Sequence, residues 1–247
     1  MPSDPRRFSG EPPPSVSFLL DDQTRMAAAR NYFAWQYRLA ARDLGQRVVE
    51  VGCGTGNFTG FLLGRGSVIA VDTEPECVRR LRQRYPNQPN LHVECCGPPD
   101  ADFLKLRRFE PDSCVCLNVI EHIGRDVDAL VAMSSILPPA APIILLAPAF
   151  EALYGPIDYQ LGHYRRYTKR SLALAARSAG LEVVSARYLN LPGFFGWWAN
   201  SRVFHRQSQS AAQISFFDRF VVPVTSLIED IVPAAFGQSV LATLHKM

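Results

Sequence analysis

Three glycines at every second position are the residues in this sequence best suited to binding a ligand. Gly52, Gly54 and Gly56 follow an apolar run at residues 47–51 that predicts a buried strand. Glycines at a strand end let the backbone turn sharply and approach a ligand without intervening side chains. Glu50 adds a carboxylate two residues before the first glycine. The G-x-G-x-G spacing differs from the G-x-G-x-x-G of dinucleotide-binding folds.

A second acid follows the next predicted strand. Asp72 ends the apolar run at residues 67–72, and a carboxylate at that point can accept two hydrogen bonds from a ribose diol. Alternatively, Asp72 caps the helix that begins near Pro75, although Thr73 or Glu74 would serve equally well. We favour ribose binding because the glycine loop already predicts a nucleotide-like ligand.

The segment EVGCGTG, residues 50–56, resembles the first motif of the class I S-adenosylmethionine-dependent methyltransferases, D/E-x-G-x-G-x-G. In that family the loop cradles the amino-acid part of the cofactor. The resemblance implies S-adenosylmethionine as the cofactor and covers residues 46–190. It assigns cofactor binding to Glu50, Gly52, Cys53, Gly54, Gly56, Asp72, Thr73, Gly97 and Asn118. A nicotinamide-dependent oxidoreductase and a non-catalytic S-adenosylmethionine-binding module are the alternatives.

The sequence departs from the family at the adenine pocket. Many members place an Asp after the third strand, where it accepts a hydrogen bond from the adenine amino group. Gly97 stands there in an ungapped comparison. Asp100 or Asp102 would substitute if the loop bulges.

The segment VCLNVIEHI, residues 115–123, is similar to the fourth-strand motif of these enzymes, which runs beneath the methionine part of the cofactor. It lacks the Pro-Pro motif of enzymes that methylate nucleic-acid bases, so we expect no nucleic-acid partner. It also resembles an E-x-x-E-H metal motif of quinone-pathway O-methyltransferases, with Asn118 replacing the first acid. Since Mg²⁺ prefers carboxylates, we predict no metal, and Glu121 and His122 are expected to start a helix.

The stretch at residues 153–168, LYGPIDYQLGHYRRYT, predicts the acceptor site. It follows the fifth strand and therefore overhangs the same sheet edge as the methyl donor. A similar G-H-x-R-R-Y-T segment occurs in a bacterial group of these methyltransferases. We expect His163 to act as the catalytic base, because an imidazole titrates near neutrality, or else only to hold the loop by hydrogen bonds. The expected acceptor ligands are Tyr154, Asp158, Arg165, Arg166 and Tyr167.

Alternating apolar strands and helices predict an α/β fold, a Rossmann-like and mostly parallel seven-stranded sheet with helices on both faces. Residues 15–247 are expected to form a single methyltransferase domain, with residues 1–14 as a disordered tail. Within it, 46–190 form the cofactor-binding core, and an aromatic-rich C-terminal region, 191–237, forms a lid or acceptor-side insertion. A helix at residues 21–44 is expected to pack over the cofactor entrance.

Composition sets the remaining expectations. The net charge of +3 is too small to imply a polyanionic partner, and six cysteines without a C-x-x-C pair are typical of a reduced, cytoplasmic protein. No apolar segment approaches the roughly 18 residues of a transmembrane helix. We therefore expect a monomer or homodimer that methylates an oxygen of a small-molecule or lipid- or sugar-linked acceptor, with a nitrogen as the less favoured alternative. Peripheral membrane contact is a less favoured alternative.

Overall fold

The sheet confirms the predicted fold class. The computed structural model describes residues 16–204 and 208–246, so the predicted tail at 1–14 lies outside the described residues. The strands are β1 Arg47–Val51, β2 Ser67–Asp72, β3 Leu91–Cys95, β4 Ser113–Leu117, β5 Pro142–Pro148, β6 Leu181–Leu189 and β7 Ser239–Lys246. They form one seven-stranded sheet in the order β3-β2-β1-β4-β5-β7-β6, in which β7 runs antiparallel to both of its neighbours.

Helices cover both faces of this sheet. They are α1 Val16–Met26, α2 Arg30–Ala40, α3 Thr59–Leu62, α4 Pro75–Arg84, α5 Ala101–Leu104, α6 Asp126–Ser135, α7 Pro156–Leu161, α8 Lys169–Ser178, α9 Leu191–Trp198, α10 Ala211–Phe216 and α11 Val222–Ile231. Neighbouring strand residues face opposite sides, so Val48 packs in the cluster of Trp35 and Leu62, while Val49 packs in that of Met133 and Leu172. The carboxyl ends of the parallel strands are thereby held at one edge.

The single helix predicted at residues 21–44 is wrong, because two helices, α1 and α2, occupy this stretch. Contacts with distant residues fix the break. The Gln23 side chain of α1 accepts a hydrogen bond from Thr55 N in the glycine loop, at 2.6 Å. The first turn of α2 is capped by Asp218, which lies far away in sequence.

The region after β6 is helical and rich in exposed aromatic residues. A π-helical turn at Ala199–Val203 follows α9, and another at Phe217–Val221 joins α10 to α11. The resulting helical run Ala211–Ile231 has 21 residues, and an 18-residue window within it has a mean hydropathy of 1.2, enough by length and composition to cross a membrane. This corrects the expectation that no apolar segment reaches such a length.

Candidate functional site

A cavity of about 280 Å³ opens beyond the carboxyl ends of the central strands. Its walls come from the loops after β1 and β4, the end of β5, α1, α7, α9 and the start of β7. The lining residues used below are Gln23, Glu50, Gly52, Cys53, Gly54, Asn118, Glu121, His122, His163, Arg166, Trp197 and Gln209. This is the position at which open α/β sheets bind their ligands.

The glycine loop at the base of the cavity uses backbone conformations that glycine adopts readily and other residues rarely do. Gly52, Gly54 and Gly56 have φ values of +73°, +52° and +85°. A side chain at Gly54 would also collide with the Gln23 side chain above it. Asn118, at the end of β4, likewise has a positive φ of +54° and lines the cavity. Gly52, Gly54 and Asn118, which line the cavity, therefore present backbone to a ligand.

Asp72 supports this loop from behind. Its Oδ2 accepts a hydrogen bond from Gly54 N at 2.8 Å, and its Oδ1 accepts one from Glu74 N at 2.9 Å. Burial raises the pKa of Asp72 despite these backbone donors. The cap of α4 is Glu74, which accepts from Glu76 N, so the alternative role of Asp72 as that cap is excluded. Its oxygens keep lone pairs for further donors.

The nine residues predicted to bind the cofactor divide into two groups by whether they line the cavity. Glu50, Gly52, Cys53, Gly54 and Asn118 line the cavity, whereas Gly56, Asp72, Thr73 and Gly97 do not. A Cβ at Gly97 would press on the Thr73 methyl group, so the two residues pack against each other. The acids suggested for the adenine pocket, Asp100 and Asp102, do not line the cavity either, and Asp102 pairs with Lys105 at 2.6 Å.

Glu50 gives the cavity a buried carboxyl group with one oxygen that the described residues leave unpaired. It is buried, and its Oε2 has no hydrogen-bond partner among the described residues. Burial, reinforced by the nearby Asp72 charge, raises the pKa of Glu50 to about 8. An unpaired buried carboxylate oxygen beside open glycine backbone suits a cationic donor such as the α-amino group of an amino acid. The residues present therefore fit the amino-acid part of S-adenosylmethionine.

A buried cluster around Asp158 lies behind part of the cavity wall, which its partners His163, Arg166 and Trp197 line. Asp158 Oδ1 lies 2.7 Å from His163 Nδ1 and 2.8 Å from Arg166 Nε, and Oδ2 lies 3.0 Å from Arg166 Nη2. Trp197 Nε1 also donates to Oδ2, at 3.3 Å. Burial alone would raise the pKa of Asp158, but the His163 hydrogen bond and the Arg166 charge hold it below its ordinary value.

An ionised Asp158 fixes the tautomer of His163. A carboxylate can only accept, so Nδ1 of the neutral imidazole carries the proton and Nε2 keeps its lone pair. Nε2 lies 4.0 Å from Glu121 Oε1, and both residues line the cavity. The histidine therefore presents a proton acceptor beside the ligand space.

Glu121 and His122 do not start a helix, which corrects the sequence-based expectation. They lie in a 3₁₀ turn, Ile120–His122, and α6 begins only at Asp126. Burial raises the pKa of Glu121 to about 7, and its Oε2 has no hydrogen-bond partner among the described residues. Burial, and then the adjacent His163, lowers the pKa of His122 to about 3. Ligand atoms of Glu121, His122 and His163 lie within 4.8 Å of one another, a set that could hold a metal ion.

Most residues predicted to hold the acceptor instead organise the loop that carries His163. Tyr154 donates to His163 O at 2.7 Å, and Tyr167 donates to Asp126 Oδ2 at 2.8 Å. Arg165 pairs with the same Asp126 at 2.6 Å. None of these three lines the cavity, and neither does Asp158.

Arg166 does line the cavity, but Asp158 occupies its guanidinium fork and Ala149 O accepts from Nη1 at 3.1 Å. The charges of Arg165 and Arg166 are therefore balanced by the protein's own carboxylates, Asp126 and Asp158.

Two lining residues carry no sequence signal for their role. Gln23 reaches the glycine loop from α1, and Trp197 reaches Asp158 from α9. Each depends on how a helix outside the sheet docks, which local sequence patterns do not specify.

Known proteins resemble this chain in sequence and in fold. Residues 19–186 match the family model described as a methyltransferase domain. A trans-aconitate 2-methyltransferase of Rhodopseudomonas palustris is 31% identical over 147 residues, 53% of each protein. A 60-residue stretch, 24% of this chain and 20% of the relative, is 40% identical to ribosomal RNA small subunit methyltransferase A of a Synechococcus strain. The chain thus spans about half or less of these curated relatives.

The fold agrees with this family. An S-adenosylmethionine-dependent methyltransferase from Archaeoglobus fulgidus superposes with a TM-score of 0.58 at 17% identity, covering 94% of this chain and 100% of the other. The family match argues against the nicotinamide-dependent oxidoreductase considered above. The cofactor of this family is S-adenosylmethionine. The chain belongs to the class I S-adenosylmethionine-dependent methyltransferases.

Proposed function

We propose that this enzyme transfers a methyl group to a hydroxyl oxygen of a small-molecule or lipid- or sugar-linked acceptor in the cytoplasm, with His163 as the general base. The observation that carries the proposal is the 2.7 Å pairing of His163 Nδ1 with the buried Asp158. A carboxylate behind an imidazole holds the ring in one tautomer and stabilises the imidazolium that forms when Nε2 takes a proton.

The chain's own groups have a limited task in this reaction. When bound, S-adenosylmethionine supplies an already activated methyl group. The protein must align the acceptor, exclude water and remove the hydroxyl proton. His163 Nε2 accepts that proton. The ionised form of Glu121, whose Oε1 lies 4.0 Å from Nε2, stabilises the positive charge that results on the imidazole. Glu50 and the glycine loop hold the amino-acid part of the cofactor.

The lining supports an acceptor with an apolar portion. Leu19, Met26, Phe33, Leu161 and Trp197 contribute apolar surface beside the His163 and Glu121 groups. Such a lining suits a hydroxyl on an apolar or aromatic body better than a highly charged polymer. A nucleic-acid acceptor is disfavoured by the absent Pro-Pro motif and by the small net charge of +3.

Labelled-methyl capture tests this proposal. Bacterial metabolite and lipid extracts are incubated with the enzyme and methyl-labelled S-adenosylmethionine, and labelled products are identified by mass spectrometry. We expect a methyl ether on an apolar or lipid-linked compound. Gly54→Val is the inactive control, because its side chain blocks the loop. A labelled nitrogen would contradict the oxygen assignment, and cofactor binding without a product in either extract would support the non-catalytic alternative.

Metal-assisted transfer is the second candidate, favoured by the cluster of Glu121, His122 and His163. Two imidazoles and one carboxylate suit zinc-like ions better than Mg²⁺, which prefers oxygen ligands. An ion there would occupy His163 Nε2 and remove it as a base. We prefer the metal-free reaction because the tautomer set by Asp158 already supplies a proton acceptor. Activity measured after chelation, with Zn²⁺ and Mg²⁺ added back separately, distinguishes the two.

A further inference from the structure

The helical run Ala211–Ile231 turns an apolar stripe toward solvent. The exposed side chains, at helical spacing, are Phe216, Phe220, Val224, Leu227, Ile228 and Ile231; we call them the apolar stripe. Leu227 is 67% exposed and Ile231 76%. A helix on a water-soluble surface normally buries its apolar side and exposes its polar one, so this arrangement is inverted.

Hydrogen bonds hold the polar side of the run inward. Asp218 is buried, and its Oδ1 accepts from Tyr32 N at 2.8 Å while its Oδ2 accepts from Asn31 N at 3.1 Å. These donors belong to the first turn of α2, where backbone N–H groups have no partner within the helix. Rotating the run to bury the apolar stripe would remove this cap.

A second carboxylate fixes the rotation about three helical turns further on. Glu229 is buried, and its Oε2 accepts from Asn190 N at 2.9 Å while its Oε1 accepts from Leu191 N at 2.8 Å. These groups start α9. Because Asp218 and Glu229 each satisfy the end of another helix, the outward direction of the apolar stripe is a built feature of the fold.

An exposed cation without a carboxylate partner among the described residues lies within the run. Arg219 is exposed and lies over the ring of Phe220, a residue of the stripe, at 5.5 Å. The charge of the exposed Asp230 is balanced by Arg38, at 3.1 Å. Apolar and aromatic side chains beside an exposed arginine are typical of helices that lie in the surface of an anionic membrane.

We propose that the apolar stripe docks this enzyme on an anionic lipid bilayer, with the helix lying in the interface. If the helix crossed the bilayer, Asp218 and Glu229 would lose their hydrogen bonds to the starts of α2 and α9. Both carboxyl groups would then lie in hydrocarbon, which costs a large amount of free energy. A second copy of the chain packed stripe against stripe would bring Arg219 close to its own counterpart, whereas anionic headgroups complement this charge. The segment after β6 thus contributes Trp197 and Gln209 to the cavity wall and also provides the docking face.

Docking also narrows the acceptor class, although this consequence rests on the proposed function. Trp197 and Gln209 line the cavity, and Gln209 precedes α10 by two residues. The docked protein would hold its cavity near the bilayer surface, where a lipid-linked hydroxyl could enter. The docking itself does not depend on the chemistry at His163.

Vesicle flotation of the full chain tests the docking. The probes are vesicles of phosphatidylcholine with phosphatidylglycerol, and vesicles of phosphatidylcholine alone. We expect the wild type to float with the anionic vesicles and to lose about fivefold in partition when Arg219 becomes Gln. The double variant Leu227→Gln/Ile231→Gln should lose more than about tenfold. The matched control is Leu174→Gln, an exposed leucine on α8 that is 55% accessible, and it should float like the wild type.

Three results would overturn the proposal. The first is a wild-type protein that floats with neither kind of vesicle. The second is a double variant that floats as well as the wild type. The third is a wild-type dimer in sedimentation that becomes monomeric in the double variant, which would assign the stripe to a second copy. Circular dichroism and the cofactor affinity of each variant report folding separately. A failure to float would leave the methyl-transfer assay unaffected, so the two proposals fail independently.

Discussion

Cofactor binding should release a proton from Glu50. Its pKa of about 8 in the ligand-free protein means that about 0.9 of the molecules carry this proton at pH 7. A cationic amino group placed against the unpaired Oε2 favours the ionised carboxylate and lowers this pKa. If the bound value returns to 4.5 or below, binding releases about 0.9 protons at pH 7, about 0.5 at pH 8 and about 0.1 at pH 9.

Calorimetry in buffers of different ionisation enthalpy measures this release. S-adenosylhomocysteine is the suitable probe, because it has the amino group but not the sulfonium charge that would also act on Glu121. The release should disappear in Glu50→Gln and persist in Glu121→Gln, the matched buried carboxylate. Binding without proton release at pH 7, or equal release by wild type and Glu50→Gln, would refute the assignment of Glu50 to the amino group.

Four further predictions concern cofactor binding, the pH dependence of stability, the need for a metal, and the cap that Asp218 provides for α2. Gly54→Val should abolish S-adenosylmethionine binding in calorimetry, and wild-type affinity would remove the glycine loop from the site. Because the folded pKa of Glu50 lies above 4.5, the free energy of unfolding should fall as pH rises from 4.5 to about 8, and Glu50→Gln should flatten this slope in urea titrations. Turnover should survive EDTA; a loss restored by Zn²⁺ or Mg²⁺, with collapse in Glu121→Ala, would establish the metal-assisted reaction. Asp218→Ala should lower the free energy of unfolding by about 1–2 kcal/mol through the lost cap of α2, while the exposed Asp21→Ala should change it by less than about 0.5 kcal/mol.

The sequence was sufficient to predict the sheet and the glycine loop, because local patterns determine them. The apolar runs of β1, β2, β4 and β5 are buried over most of their length, and α4 begins at Pro75 with Glu74 as its cap. The glycines at 52, 54 and 56 do adopt positive φ. Such features depend on residues close to one another in the chain.

The contacts around His163 could not be predicted from local patterns. The arginines and tyrosines at residues 154–167 were expected to face an acceptor, but Asp126 lies about forty residues away in sequence and pairs with Arg165 and Tyr167. The inverted helix shows the same limit. Its apolar residues have ordinary helical spacing, and only the distant groups that Asp218 and Glu229 cap decide which side faces inward.

The rate of methyl transfer by His163→Gln tests the central claim most directly. With the acceptor identified by labelled-methyl capture, kcat is measured for this variant, for wild type and for His92→Gln, a histidine on β3 that does not line the cavity. If His163 is the base, its variant should lose about 10²–10⁴ in kcat while keeping wild-type affinity for S-adenosylhomocysteine, and His92→Gln should match the wild type. A His163→Gln enzyme with wild-type kcat, and with only KM changed, would contradict the claim.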